Sequence, residues 1–259
     1  LFRSYVNDGF YTVADFESFD SKSRTWKLKE GVVDSSPLSD TPRPGNAKFK
    51  KLTPVDPNST NPYQLTEADR TVIGNTTPKF SGGFGLNATY KGFDMSMFFN
   101  FMYDFDVLNA NKIMLTTWAD NKENNFLMDI ASDKRWRNFD DMGNEIRYSP
   151  EVLAEFNKNA TMWNPTSIGR PICMSYAVED GSFLRLNSAT LGYTLPSVWT
   201  KKVGLSKVRF YVSGNNLFTL TGYSGYDPEV NIATGLTPNI DYDRYPRSRT
   251  YTFGAQLTF

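Results

Sequence analysis

The sequence contains no histidine and a single cysteine, Cys173, among 259 residues. Without histidine the chain lacks the commonest general base near neutral pH and the commonest metal ligand. One cysteine cannot close an intrachain disulfide, so no disulfide framework holds the fold. An excess of one charge is missing too, because 28 Lys plus Arg balance 28 Asp plus Glu. Nucleic-acid binding relies on clustered positive charge to displace counterions from phosphates, and is not expected. No run approaches the ~18 consecutive apolar residues of a membrane-crossing helix, and mean hydropathy is −0.47. No methionine and no signal peptide opens the chain. Leu1-Phe2-Arg3-Ser4-Tyr5-Val6 reads as the end of a strand already under way, so residue 1 is expected to be a cut point or processed end.

What is abundant is aromatic: 15% of residues, including 20 Phe and 14 Tyr. Their spacing has period 2. From Ser248 to Phe259, Tyr251, Phe253, Ala255, Leu257 and Phe259 share one parity, and Thr250, Thr252, Gly254, Gln256 and Thr258 the other. Phe80, Phe84, Leu86, Ala88 and Tyr90 likewise oppose Ser81, Gly83, Gly85, Asn87 and Thr89. After Lys91-Gly92, Phe93, Met95, Met97, Phe99, Phe101 and Tyr103 oppose Asp94, Ser96, Asn100 and Asp104, with Phe98 and Met102 as exceptions. Val208, Phe210 and Val212 oppose Lys207, Arg209, Tyr211, Ser213 and Asn215. Alternate residues of a strand face opposite sides, so each run has one apolar face. In 183–195 the parity switches: Leu184 and Leu186 on one, Ala189, Leu191, Tyr193 and Leu195 on the other. A β-bulge near Asn187-Ser188 restores a single face; the alternative is a strand with a mixed face.

Each run is about 10–13 residues, long for a soluble strand and right for a tilted strand crossing a membrane. Barrel strands hide their apolar residues at alternate positions, so low mean hydropathy does not exclude a membrane. Aromatics at the run ends (Tyr90, Phe93, Tyr103, Phe105) match the girdles that sit at lipid–water boundaries. An antiparallel sandwich has similar alternation. The connections favour the barrel: tight at 91–92, very long over about 106–181, short at 196–205, long again over about 218–247. Short periplasmic turns alternating with long external loops are the habit of outer-membrane barrels. The last strand then ends on the periplasmic side.

Particular stretches resemble the SusC/RagA family of TonB-linked outer-membrane proteins. They include Glu179-Asp180-Gly181-Ser182-Phe183-Leu184-Arg185-Leu186 followed by Thr190-Leu191-Gly192-Tyr193-Thr194-Leu195-Pro196. Tyr211-Val212-Ser213-Gly214-Asn215-Asn216-Leu217-Phe218-Thr219, running into Gly222-Tyr223-Ser224-Gly225-Tyr226-Asp227-Pro228-Glu229, is similar. So are Tyr245-Pro246-Arg247-Ser248-Arg249-Thr250-Tyr251-Thr252-Phe253-Gly254 and Leu257-Thr258-Phe259. Upstream, Pro42-Arg43-Pro44-Gly45, Asp69-Arg70-Thr71-Val72-Ile73-Gly74-Asn75, Pro78-Lys79-Phe80 and Tyr90-Lys91-Gly92-Phe93-Asp94 fit the same pattern. The resemblance implies an all-β chain supplying the C-terminal strands of a large antiparallel transmembrane β-barrel of about 22 strands. Strands are expected at about 80–90, 93–105, 183–195, 206–217 and 248–259, with extracellular loops at about 7–79, 106–181 and 218–247. Five strands leave two unpaired edges that lipid cannot hydrate, so closure is expected from strands outside this chain.

The implied function is the wall of a TonB-dependent importer of oligosaccharides or peptides in the Bacteroidetes-type outer membrane. The alternative is a soluble β-rich carbohydrate- or protein-binding module. Implied partners are a SusD-like surface lipoprotein, TonB acting through an N-terminal part, outer-membrane lipid and the barrel-assembly machinery; no cofactor is expected. Phe93, Met95, Met97, Phe99 and Phe101 are expected to face lipid. Tyr251, Phe253, Leu257 and Phe259 resemble the terminal-strand signal read by assembly machinery. In the long loop, Trp118, Trp136 and Trp163 lie near Lys134, Arg135 and Arg137. They either present ring faces to a ligand or partner, or pack the loop onto itself. Asp56, Asn58 and Asp69 occupy a position where family members often carry a calcium-type loop. The glycine such a loop needs is missing, and Thr60 stands where a carboxylate is wanted, so no metal is expected. No catalytic constellation is visible: pairs such as Asp140-Asp141 lie in loops with nothing to tune their pKa.

Overall fold

The computed structural model describes residues 1–117, 125–131, 133–168, 171–230, 238–242 and 245–259. The chain divides into two compact units, one of Asn75–Val107 with Glu179–Phe259, the other of Leu1–Gly74 with Leu108–Val178.

The first of these is a sheet. Its strands are β1 Phe80–Tyr90, β2 Phe93–Tyr103, β3 Phe183–Thr194, β4 Lys207–Thr221 and β5 Thr250–Thr258. They pair in sequence order, antiparallel throughout, so β1 and β5 are the two edges. The β1–β2 hairpin turns on Lys91 and Gly92, both at positive φ (47° and 91°), the backbone a two-residue loop needs to match strand twist. Glycine is required at 92 for a second reason: a Cβ there would lie 2.8 Å from the Thr194 carbonyl oxygen.

Register puts the alternation of separate strands onto common faces. Leu86 pairs with Met97, Met97 with Ala189, Ala189 with Gly214 and Gly214 with Tyr251. One step along, Ala88, Met95, Leu191, Val212 and Phe253 form the next row. The parity switch in β3 is absorbed at Asn187. Pairing steps from Leu186↔Phe99 to Ser188↔Phe98, so two steps on β3 meet one on β2. Opposite, Asn216 and Leu217 of β4 fall between the partners Phe218 and Asn215. Asn216 takes φ 54° and donates from its amide side chain to the Arg247 carbonyl at 3.1 Å. The bulge therefore spans two strands and keeps Leu184 and Leu186 on the same face as Ala189 and Leu191.

The opposite face is polar, and the two apolar exceptions on β2 have separate causes. Phe98 lies over Gly83, where a Cβ would come within 2.8 Å of its ring. Met102 packs against the buried cluster of Phe105, Val107, Phe183, Tyr223 and Val230.

The second unit is built from short pairings and irregular chain. Phe2–Ser4 pairs with Thr71–Gly74, Asn7–Phe10 with Ala47–Phe49, and Phe16–Asp20 with Thr25–Leu28. Two short helices, Ala110–Met114 and Pro150–Phe156, add to it. Pro150 opens its helix at the position where a missing N–H costs nothing. Asn157 closes it, donating to the Leu153 and Arg137 carbonyls and accepting from the Arg137 N–H at 2.7 Å. Tyr5, Phe49, Leu65, Ile130, Trp163 and Met174 belong to the larger of its buried clusters.

Candidate functional site

The polar face of the sheet carries an ion pair. Arg209 on β4 reaches across β3 to Asp94 on β2, donating from Nε at 2.8 Å and from Nη2 to the other carboxylate oxygen. A two-point guanidinium–carboxylate contact fixes geometry as well as charge. The crossing is open because residue 192 is glycine. A Cβ there would lie 2.6 Å from both the Arg209 Nε and an Asp94 oxygen.

A second group sits nearer the long-loop end of β3. Arg185 is 1% exposed. Its guanidinium is paired with Asp227 through Nη2, and its Nη1 lies 3.3 Å from Glu229. The other oxygen of Glu229 meets Arg247 at 2.9 Å. A buried guanidinium without carboxylates is strongly unfavourable, so Asp227 and Glu229 fix the path of the chain after β4. Glu179 accepts from the Ser224 N–H and hydroxyl at 2.9 and 2.8 Å, holding the same segment. Tyr223 donates to Asp241 at 2.6 Å. Burial, with that carboxylate beside it, pushes the Tyr223 phenol far above its usual range, so it remains a donor.

The other face is apolar and uncovered. Phe93, Met95, Met97, Phe99 and Phe101 share it with Leu86, Leu191, Phe210 and Val212. Tyr251, Phe253 and Leu257 continue it on β5, and Phe253 and Phe259 are 81% and 90% exposed. A soluble monomer rarely exposes so continuous an apolar surface. Sequence reasoning passed over Trp199, which with Val198 and Val203 stands exposed on the short helical connection after β3. The signal was a Val-Trp pair next to two lysines, the composition of an interfacial anchor.

In the loop unit, Trp136 and Trp163 are each 2% exposed. Trp136 packs edge-on to Phe10 and fills the space beside Gly45, and Trp163 packs edge-on to Tyr176. Both rings are packed into the unit's own core. Trp118 lies outside the described residues. Asp69 is fully buried and accepts from the N–H groups of Thr53, Thr66 and Leu52 at 2.7, 2.8 and 2.9 Å, and from the Thr53 hydroxyl. Burial raises its pKa, but these donors outweigh it and hold the carboxyl well below the usual range. Its oxygens are thus committed to tying 52–53 to 66. Asp56 meanwhile accepts from the Asn58 N–H at 2.9 Å. Among the described residues, no grouping of three or more His, Cys, Asp or Glu could hold a metal ion.

No family model matches the sequence. It is similar to TonB-dependent receptor P3 of Formosa agariphila, with 35% identity over 202 residues, 76% of this chain and 18% of that protein. It is also similar to TonB-dependent receptor SusC of Bacteroides thetaiotaomicron, with 36% identity over 88 residues, 32% of this chain and 8% of that protein. Among solved structures, the RagAB peptide importer in the open-open state matches with a TM-score of 0.61 and 22% identity, over 100% of this chain and 22% of that one. A five-strand antiparallel sheet, apolar on one face and polar on the other, with this likeness, is part of the wall of a transmembrane β-barrel of the bacterial outer membrane. The chain belongs to the TonB-dependent receptors of the SusC/RagA type. It spans about a fifth or less of the length of the curated relatives it matches.

Proposed function

We propose that this chain forms barrel wall and extracellular loops of a TonB-dependent outer-membrane nutrient importer. The observation that carries the reading is the register-matched apolar face of β1–β5 set against a polar face with the Asp94–Arg209 pair. Phe93, Met95, Met97, Phe99 and Phe101 face lipid, and Asp94, Ser96 and Asn100 face the lumen. The free edges of β1 and β5 are closed by strands from elsewhere in the protein, since unpaired backbone in hydrocarbon costs several kcal/mol per group, making a barrel of about 22 strands. Residues 7–79, 106–181 and 218–247 lie outside the cell.

Cargo in this reading is an oligosaccharide or peptide, delivered by a SusD-like surface lipoprotein and released inward when TonB acts on a plug outside this chain. The relatives support it: SusC and P3 are TonB-dependent receptors, and RagAB is a peptide importer. The protein acts as a transporter and not as an enzyme.

The test is topology and uptake together in the intact gene product. The protein should fractionate with detergent-extracted outer membrane, and growth on its cargo should require TonB. A tag near Asn144 should be labelled on intact cells, and a tag within 196–205 should not. Labelling of both tags, or of the second alone, refutes the orientation. Recovery in the soluble fraction supports the binding-module alternative.

A further inference from the structure

The loop unit contains a cavity of about 210 Å3 whose walls come from separate stretches of the chain. The β-hairpin 16–28 supplies Arg24, the 40–46 turn Arg43, the 138–148 segment Arg147, and the 164–167 segment Thr166 and Ser167. Three arginines face one carboxylate, Asp40. A neighbouring cavity of about 430 Å3 shares Asn138, Arg147, Asn164 and Thr166 with it and adds Arg135 and Arg137.

Two of these arginines, Arg24 and Arg43, have no carboxylate partner among the described residues, and the third, Arg147, is paired with Glu145. Arg24 takes φ 55°, a backbone region costly for a side chain of this kind, and its guanidinium stacks 4.8 Å from the centre of the Tyr148 ring. Arg147 sits 5.8 Å from the centre of the same ring, so two cations flank one aromatic. Arg147 pairs with Glu145, its Nε 2.6 Å from the carboxylate oxygen. The Ser167 hydroxyl, in the same wall, is buried with no partner. The unpaired charges of Arg24 and Arg43 and the unmet Ser167 hydroxyl both raise the energy of the empty cavity, and one oxyanion relieves both.

We propose that this cavity is a subsite for the carboxylate or sulfate group of an acidic oligosaccharide, with Arg24 and Arg43 as its charge contacts. The chemistry favours a glycan over an acidic peptide. Asn46, Asn138, Asn164, Thr166 and Ser167 give amide and hydroxyl partners for ring hydroxyls. The cavity is below the ~300–1,000 Å3 of a site for an extended ligand, so it takes a single charged ring. This inference deepens the importer reading and rests on it.

The experiment uses the full-length receptor in detergent and calorimetric titration. The probes are an oligogalacturonate, a sulfated galactan oligosaccharide, a neutral galactose oligomer, inorganic sulfate and a poly-glutamate peptide. At least one acidic glycan should bind tenfold or more tighter than the neutral oligomer. Arg24→Gln with Arg43→Gln should weaken it at least tenfold, while Arg24→Lys with Arg43→Lys retains part of the affinity. Both arginines are exposed, and equal outer-membrane levels of the variants establish that they fold. Tightest binding to poly-glutamate, equal binding of the neutral oligomer, binding of inorganic sulfate alone, no binding of either acidic glycan, or an unchanged double variant would each overturn the subsite. TonB-dependent uptake that persists alongside any of those results leaves the importer reading standing and removes only the subsite.

Discussion

Replacing Met97 by arginine is the sharpest test of which face of the sheet meets lipid. β2 runs from Phe93 to Tyr103, 11 residues. At ~3.4 Å per residue and a tilt of ~45°, such a strand rises about 26 Å along the membrane normal, close to the ~25 Å apolar band of an outer-membrane barrel. Met97 is near the middle of that rise, between Leu86 on β1 and Ala189 on β3. An arginine there can reach neither water layer without straining, and a cation at the midplane costs ~2–4 kcal/mol. At 1.4 kcal/mol per factor of ten this is a shift of roughly 30- to 700-fold in the folding equilibrium. Ser96 is one residue away, paired with Asn87 and Thr190 on the polar face. Ser96→Arg should therefore cost less than ~1 kcal/mol, because the guanidinium enters a hydrated lumen. Arginine at Phe93 or Tyr103, the strand ends, should fall in the same low range, ~0–1 kcal/mol. Urea titration of the full-length protein refolded into lipid vesicles, read by tryptophan fluorescence, measures all four. Equal losses at 96 and 97, or a larger loss at 96, would refute the assignment of faces.

Asp69 makes the loop unit sensitive to acid. Its folded pKa lies below the unfolded value of ~3.9, so its contribution is complete above that value and is lost as pH falls through the folded pKa. Thermal melts of the full-length protein should show the loop transition falling below about pH 4, and Asp69→Asn should remove that dependence while lowering the neutral-pH transition. Asp227→Ala should destabilise by ~3–5 kcal/mol because it strands the buried Arg185, whereas Arg185→Met with Asp227→Asn together should cost far less; equal losses from both would show that charge pairing is not what holds the segment. Deleting Phe259 should deplete the protein from the outer-membrane fraction if the terminal strand is read during assembly, with Phe253→Leu as control. Normal levels in both would leave Phe259 an interfacial aromatic worth ~1 kcal/mol of burial.

Much of the sheet was legible in the sequence because strand alternation is a local property. The apolar parity of Phe93 to Tyr103 and of Tyr251 to Phe259 needs only the two-residue repeat, and Lys91-Gly92 needs only its turn chemistry. Even the change of parity at Asn187 was visible, since a bulge is the single-residue insertion that returns a strand to one face. The exceptions were not: Phe98 and Met102 break the pattern for reasons found on other segments, Gly83 for one and the Tyr223–Val230 cluster for the other. The tryptophans illustrate the same limit, because a Trp in a loop has the same sequence signature whether it packs inward or outward. Trp136 and Trp163 pack inward because Phe10, Gly45 and Tyr176, far away in sequence, supply the walls.

The sequence by itself determined the two-faced strands, their lengths, the tight turn and the balance of charge. Tertiary structure alone decided which charges meet. Asp94 and Arg209 are 115 residues apart and Arg185 and Asp227 are 42 apart, while the arginines of the loop cavity come from three separate stretches. Periodicity propagates along the chain through neighbouring dihedrals, so it can be read residue by residue. A contact across the fold depends on register, bulges and packing summed over every intervening element, and no local signal carries that sum.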